Sequence, residues 1–148
     1  MKTLEEVIES WQEDCQIPRN DLAETSRLTP NLHAKYLGAL ANAKLRLKKY
    51  EMDQKSLLKD KWLYYNGKMD QFEIEARGWD YDPLDGLKVL KGDMNHYYDS
   101  DKEIQESELK IEYLKTLINT LTDIVDTLKW RHQTIGNMIK WKVFEAGG

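Results

Sequence analysis

Apolar residues along the 148-residue chain recur mainly at helical spacing. Leu4, Val7, Ile8 and Trp11 share one face and predict a short amphipathic helix over residues 3–14. The segment Ile17-Pro18-Arg19-Asn20-Asp21 interrupts it, and Asp21 stands where it can cap a second short helix over 22–28. Thr29-Pro30 then reads as a cap followed by proline at a first helical position. A long helix is expected from Asn31 to about Lys61, carried by Leu32, Tyr36, Leu40, Ala43, Leu47, Tyr50 and Leu57. At roughly 100° per residue these apolar side chains fall in one sector. Lys44, Lys48, Lys55 and Lys59 fall in the neighbouring sector, interrupted mainly by Glu51. Lys61 turns back toward the apolar sector, so the helix is expected to end or turn near it.

Residues 62–102 change character. Trp62, Tyr64, Tyr65, Phe72, Trp79, Tyr81, Tyr97 and Tyr98 crowd together among turn signals at Asn66-Gly67, Arg77-Gly78, Asp82-Pro83, Asp85-Gly86 and Lys91-Gly92. Short strands are predicted at 62–65, 71–75 and 87–91. From Asp101 to about Val143 helical spacing returns, with Ser100 or Asp101 as N-cap and Glu103 near the positive helix end. Ile104, Ile111, Ile118, Val125, His132 and Ile139 repeat every seven residues, and Leu114, Leu121, Leu128 and Ile135 fill the complementary seam. Leu117 and Ile124 widen that face, which suits a bundle or a higher-order ring better than a two-stranded coil. The seam is longer than short helices at 3–28 can cover, so self-association is expected. The fold class is therefore mainly α: a long basic amphipathic helix and a long C-terminal oligomerisation helix, with short strands in a turn-rich middle. Residues 1–100 form the N-terminal region (long helix 31–61, turn-rich 62–100), and residues 101–148 form the assembly region.

Composition adds limits. Charged residues make up 32% and apolar residues 41%, which is polar but sufficient for a core. No run of about 18 apolar residues suggests a membrane span. The opening Met1-Lys2-Thr3-Leu4-Glu5-Glu6 runs into a charged helical pattern with no apolar signal core. A single cysteine, Cys15, excludes an internal disulfide framework, and a soluble, reducing compartment is expected. The net charge of −4 argues against a uniformly basic nucleic-acid binder. Its distribution alters that view: residues 35–61 carry 8 basic and 3 acidic groups, whereas residues 62–108 carry 5 and 12. A local basic patch can bind a polyanion on an acidic protein, because the contact feels the local field.

Catalytic chemistry finds little support. His33, His96 and His132 are far apart and lack ligand spacing. His96 has Asp93 and Asp99 three residues to either side, the basis for a rival reading as a metal-dependent nuclease, but a surface histidine accounts for it more simply. His132 occupies a seam position where a polar residue can set register. There is no phosphate-binding Gly-rich loop, Cys15 lacks a nucleophile's surroundings, and no cofactor or metal is expected. The basic run is the promising constellation. Single-stranded nucleic acid needs cations along its backbone and flat side chains on which unpaired bases stack. Lys55, Lys59 and Lys61 run directly into Trp62, Tyr64 and Tyr65 and then Lys68. A solvated helix face beside core aromatics would give the same letters, with Trp62 in the core.

The segment Leu58-Lys59-Asp60-Lys61-Trp62-Leu63-Tyr64-Tyr65-Asn66-Gly67-Lys68 resembles a block of the UvsY-type recombination mediators of large tailed phages. In that block a basic-x-basic pair precedes a Tyr-Tyr-Ser/Asn-Gly-basic turn. The ending Phe144-Glu145-Ala146-Gly147 is similar to that family's C-terminus, and length and layout agree. The resemblance implies a non-enzymatic protein that binds single-stranded DNA in the cytoplasm of an infected bacterial host. It would help a RecA-like recombinase assemble on strands coated by the phage single-strand-binding protein, contact both proteins, and form a ring-like homo-oligomer described as a heptamer. The basic pair falls on Lys59 and Lys61, with Lys55, Lys48, Lys44 and Lys68 in support and Tyr64 and Tyr65 as stackers. Assembly falls on Ile118, Leu121, Val125, Leu128, Ile135, Ile139, Trp141 and Phe144. The chain departs from the pattern in two ways: Asp60 sits between the cations, and the second cation is lysine, which lacks arginine's bidentate fork. The alternative is a non-catalytic structural oligomer with no DNA affinity.

Overall fold

The computed structural model describes residues 1–148 and contains five helices and no strand. They are α1 (Leu4–Asp14), α2 (Leu22–Tyr65), α3 (Gln71–Ala76), α4 (Met94–Ser100) and α5 (Lys102–Glu145). The mainly α class expected from the spacing holds. The three expected strands do not form: residues 62–65 are the last turn of α2, residues 71–75 lie in α3, and residues 87–91 are irregular. Local capping explains the difference. Gly67, at φ +68°, ends α2, with the Lys68 N–H donating to the Leu63 carbonyl at 2.8 Å. This six-to-one bond across a left-handed residue closes a helix, and glycine adopts that conformation without the Cβ penalty. Asp70 then caps α3 by accepting from the Glu73 N–H at 2.8 Å.

The break expected at Thr29-Pro30 is also absent, and α2 runs 44 residues with Pro30 inside it. Proline removes one backbone donor there. Buried Leu22 and Tyr36, on either side of it, hold the two flanks in one helix. The long helix likewise continues past Lys61 to Tyr65.

Packing divides the chain into two compact units, Met1–Arg46 with Leu114–Gly148, and Leu47–Tyr113. In the first, α1 and the opening part of α2 pack on the closing part of α5. Val7, Tyr36, Leu40 and Ala43 are buried with Leu114, Leu117, Leu121, Ile124, Leu128 and Ile135. Tyr36 meets the edge of Trp11 and donates to Asp14 at 2.8 Å. Burial, with the Asp14 carboxylate adding to it, pushes the Tyr36 phenol up to about 12. The α5 residues alternate by three and four, so a 3.5-residue seam faces inward from Leu114 to Ile135.

Most of that seam is the expected one, with Leu114, Leu121, Val125, Leu128 and Ile135 buried, and it departs only toward the C-terminal end of the sevenfold row. His132 is exposed, and Arg131 takes the inward place. Its guanidinium donates to the carbonyls of Asp14 at 2.9 Å and Gln16 at 3.0 Å, placing a cation at the negative end of α1. Neither α1 nor α2 leaves the seam uncovered in this unit. Leu121, Val125, Leu128 and Ile135 therefore pack within the chain itself.

In the second unit, the end of α2 packs with α3, α4 and the start of α5. Tyr64, Ile74, Ile104 and Ile111 are buried there. No helix is long and apolar enough to cross a membrane. No group of three or more His, Cys, Asp or Glu side chains is arranged to hold a metal ion, and Asp93, His96 and Asp99 are exposed around α4.

Candidate nucleic-acid interface

The basic face of α2 follows from spacing alone. Residues three, four and seven apart on a helix project to one side. Lys48, Lys55 and Lys59 are exposed in the second unit and form no salt bridge or hydrogen bond. Lys44 is exposed in the first unit. Trp62 lies three residues beyond Lys59 and seven beyond Lys55, so it continues the same face, and it is 41% exposed. Lys68, just past the Gly67 turn, folds back so that its ammonium lies 4.5 Å from the Trp62 ring centroid.

The other half of the motif faces inward. Lys61 is 4% exposed, and its ammonium lies 3.0 Å from Asp101 Oδ2 and 3.7 Å from Glu103 Oε1. It sits 3.8 Å from the centroid of the Trp79 ring. Asp101 is the N-cap of α5: its Oδ1 accepts from the N–H groups of Glu103 and Ile104, at 3.0 and 3.1 Å. Its Oδ2 also accepts from the Tyr65 hydroxyl at 2.6 Å. Burial works to raise the Asp101 carboxyl, but hydrogen bonds from Tyr65, Lys61 and the Ile104 N–H outweigh it and hold the group below the usual carboxylate range. Burial, followed by the bond to Asp101, pushes the Tyr65 phenol well up.

Tyr64 is buried and donates to the Asp80 carbonyl at 2.5 Å, with its ring 5.0 Å from Tyr65 and 4.9 Å from Trp79. Tyr65 also meets Tyr97 at 5.6 Å. In this conformation Lys61, Tyr64 and Tyr65 thus join the end of α2 to the start of α5, and their polar tips are already occupied. Asp60 pairs with Arg77, whose guanidinium lies 2.8 Å from it. Arg77 also reaches Glu73 at 3.3 Å.

Local spacing grouped these residues in one segment and left its faces unsorted. It missed Trp79, Glu103 and Arg77 as partners, since nothing in local spacing links them to Lys61 or Asp60. One signal was present: the wheel turned Lys61 into the apolar sector, where a lysine needs an anion.

Of the assembly candidates, Leu121, Val125, Leu128 and Ile135 are buried and Ile118 is half-buried. Ile139, Trp141 and Phe144 are exposed, and Trp141 and Phe144 stack with ring centroids 5.4 Å apart.

Comparison with known proteins agrees with this layout. Residues 10–148 match the family described as recombination, repair and ssDNA binding protein UvsY. The recombination protein uvsY of Enterobacteria phage T4 is 23% identical over 144 residues, covering 97% of this chain and 98% of that protein. Crystal structures of the bacteriophage T4 recombination mediator protein UvsY superpose with a TM-score of 0.82 at 23% identity, covering 99% of both chains. In a second lattice the TM-score is 0.80 at 21% identity, covering 95% of this chain and 98% of that one. A match over nearly the whole length, on a fold of the same architecture, places this chain in the UvsY family of phage recombination mediators.

Proposed function

We propose that this protein binds single-stranded DNA along the basic face of α2 and helps load a RecA-like recombinase onto strands coated by a single-strand-binding protein. The observation that carries the reading is the row of exposed cations Lys48, Lys55 and Lys59, none held by an anion of the chain itself. Such a row supplies the cations that a phosphodiester backbone needs along its length. Lys59 and Lys68 flank the end of α2 and serve as the central phosphate contacts. Lys44, in the first unit, is an independent contact. Lys61, Tyr64 and Tyr65 act indirectly, by fixing the helix end from which Lys59 and Lys68 project.

The action is non-catalytic: the protein supplies a platform, and the recombinase supplies the chemistry. Self-association through Ile139, Trp141 and Phe144, with Ile118 beside the covered seam, would repeat the basic face. A ring, for which the family resemblance suggests seven copies, lets one strand engage many faces and gain avidity with no new contact type. Contacts with the recombinase and with the single-strand-binding protein complete the role.

The test is fluorescence anisotropy of a labelled single-stranded oligonucleotide across a salt series, beside the Lys55→Ala/Lys59→Ala variant. Affinity should fall with salt, and the variant should bind more weakly with a shallower slope, by about 0.7 per lost phosphate contact. No binding by the intact oligomer at low salt would leave the structural oligomer as the better account.

A further inference from the structure

We propose that Trp62 is a nucleobase-stacking platform, and that the strand bound along α2 places an unpaired base on its ring. This deepens the single-stranded DNA reading and rests on it. Three aromatic residues cluster at the end of α2, and the structure separates them. Tyr64 is buried, with its hydroxyl bonded to the Asp80 carbonyl, and Tyr65 is bonded to Asp101. Neither offers a free ring face, because each is packed against other rings. Trp62 alone of the three lies on the cationic side of the helix, in register with Lys55 and Lys59.

What covers Trp62 is informative. The Lys68 ammonium rests over its ring at 4.5 Å, at the end of a flexible exposed side chain. No backbone has to move for it to leave. A base that takes the ring brings a phosphate with it, and that phosphate gives the displaced ammonium a new partner. The cation–π contact and the base stack thus exclude each other, while the lysine stays useful in both states. Asp60, the nearest acidic neighbour in sequence, is neutralised by Arg77. Stacking is indifferent to base identity, since every base has a π face, so the platform suits a protein that must bind strands of any sequence.

The experiment measures anisotropy of two labelled oligonucleotides of equal length, oligo-dT and a fully abasic strand, with the full-length protein. Trp62→Leu and Trp62→Phe are compared with the unaltered chain, and circular dichroism confirms the helices. Trp62→Leu should bind oligo-dT about 5- to 150-fold more weakly, the loss expected for one stacked base. Its affinity for the abasic strand and its salt slope should not change, because the phosphate contacts remain. Trp62→Phe should recover most of the oligo-dT affinity. Equal binding of oligo-dT by Trp62→Leu and the unaltered chain would overturn the proposal, as would equal losses on both strands. If the unaltered protein binds neither strand, the single-stranded DNA reading itself fails. Binding of both with no dependence on Trp62 removes the platform alone.

Discussion

Lys59 and Lys61 are two residues apart and similar in chemistry, yet the fold gives them opposite tasks. Lys59 projects into solvent, where its charge is well hydrated and costs nothing to maintain. Lys61 is taken out of water and is tolerable only because Asp101 and Glu103 meet it. Replacing Lys61 with alanine should destabilise the protein by about 3–5 kcal/mol, since Asp101 would keep its burial and lose its cation. Guanidinium unfolding measures this. Lys59→Ala should stay within about 0.5 kcal/mol of the unaltered chain in the same assay while weakening oligonucleotide binding. Asp101 also sets an acid limit. Its folded-state pKa lies below the unfolded value of about 3.9, so its contribution is complete above that pH and is lost as pH falls through the lower folded value. Asp101→Asn should therefore flatten the acid side of the stability–pH curve and lower the plateau at neutral pH.

At the scale of elements, legibility followed the range of the forces involved. The helical periods of α1, α2 and α5 come from burial of one face and are written in local spacing. The cap of α5 was narrowed to Ser100 or Asp101, and the fold uses Asp101. The expected strands at 62–65 and 71–75 failed because aromatic, β-prone letters were outweighed by two local devices, the Gly67 terminus and the Asp70 cap. The seam of α5 was legible except toward its C-terminal end: the sevenfold row through His132 is regular, and only tertiary packing shows that Arg131 faces α1 instead. Pro30 is the clearest case of packing overriding propensity. Its missing donor costs up to about 3 kcal/mol in a helix interior, partly offset because proline also restricts the unfolded chain. Pro30→Ala should accordingly stabilise α2 by about 1–2 kcal/mol, visible as a higher thermal midpoint.

At the scale of the molecule, a net charge of −4 opposes a polyanion, so only a local basic face can hold one. A few exposed lysines on one copy give weak and salt-sensitive binding. Repetition of that face in an oligomer converts weak contacts into one strong engagement, with avidity gains of about 10²–10⁴. The candidate contact is at the end of α5, where Trp141 and Phe144 stack on each other at 61% and 67% exposure. Exposed aromatics in such a cluster are costly to leave in water and are suited to a second copy. Because they lie outside the buried seam, Trp141→Ser/Phe144→Ser should leave helix content and the unfolding midpoint nearly unchanged. Sedimentation analysis should then show a smaller assembly. Oligonucleotide affinity should fall with it, although no cation on α2 has been altered. An assembly of unchanged size would move the contact to another face of α5. A smaller assembly with unchanged affinity would mean that a single copy of the basic face suffices for the strand.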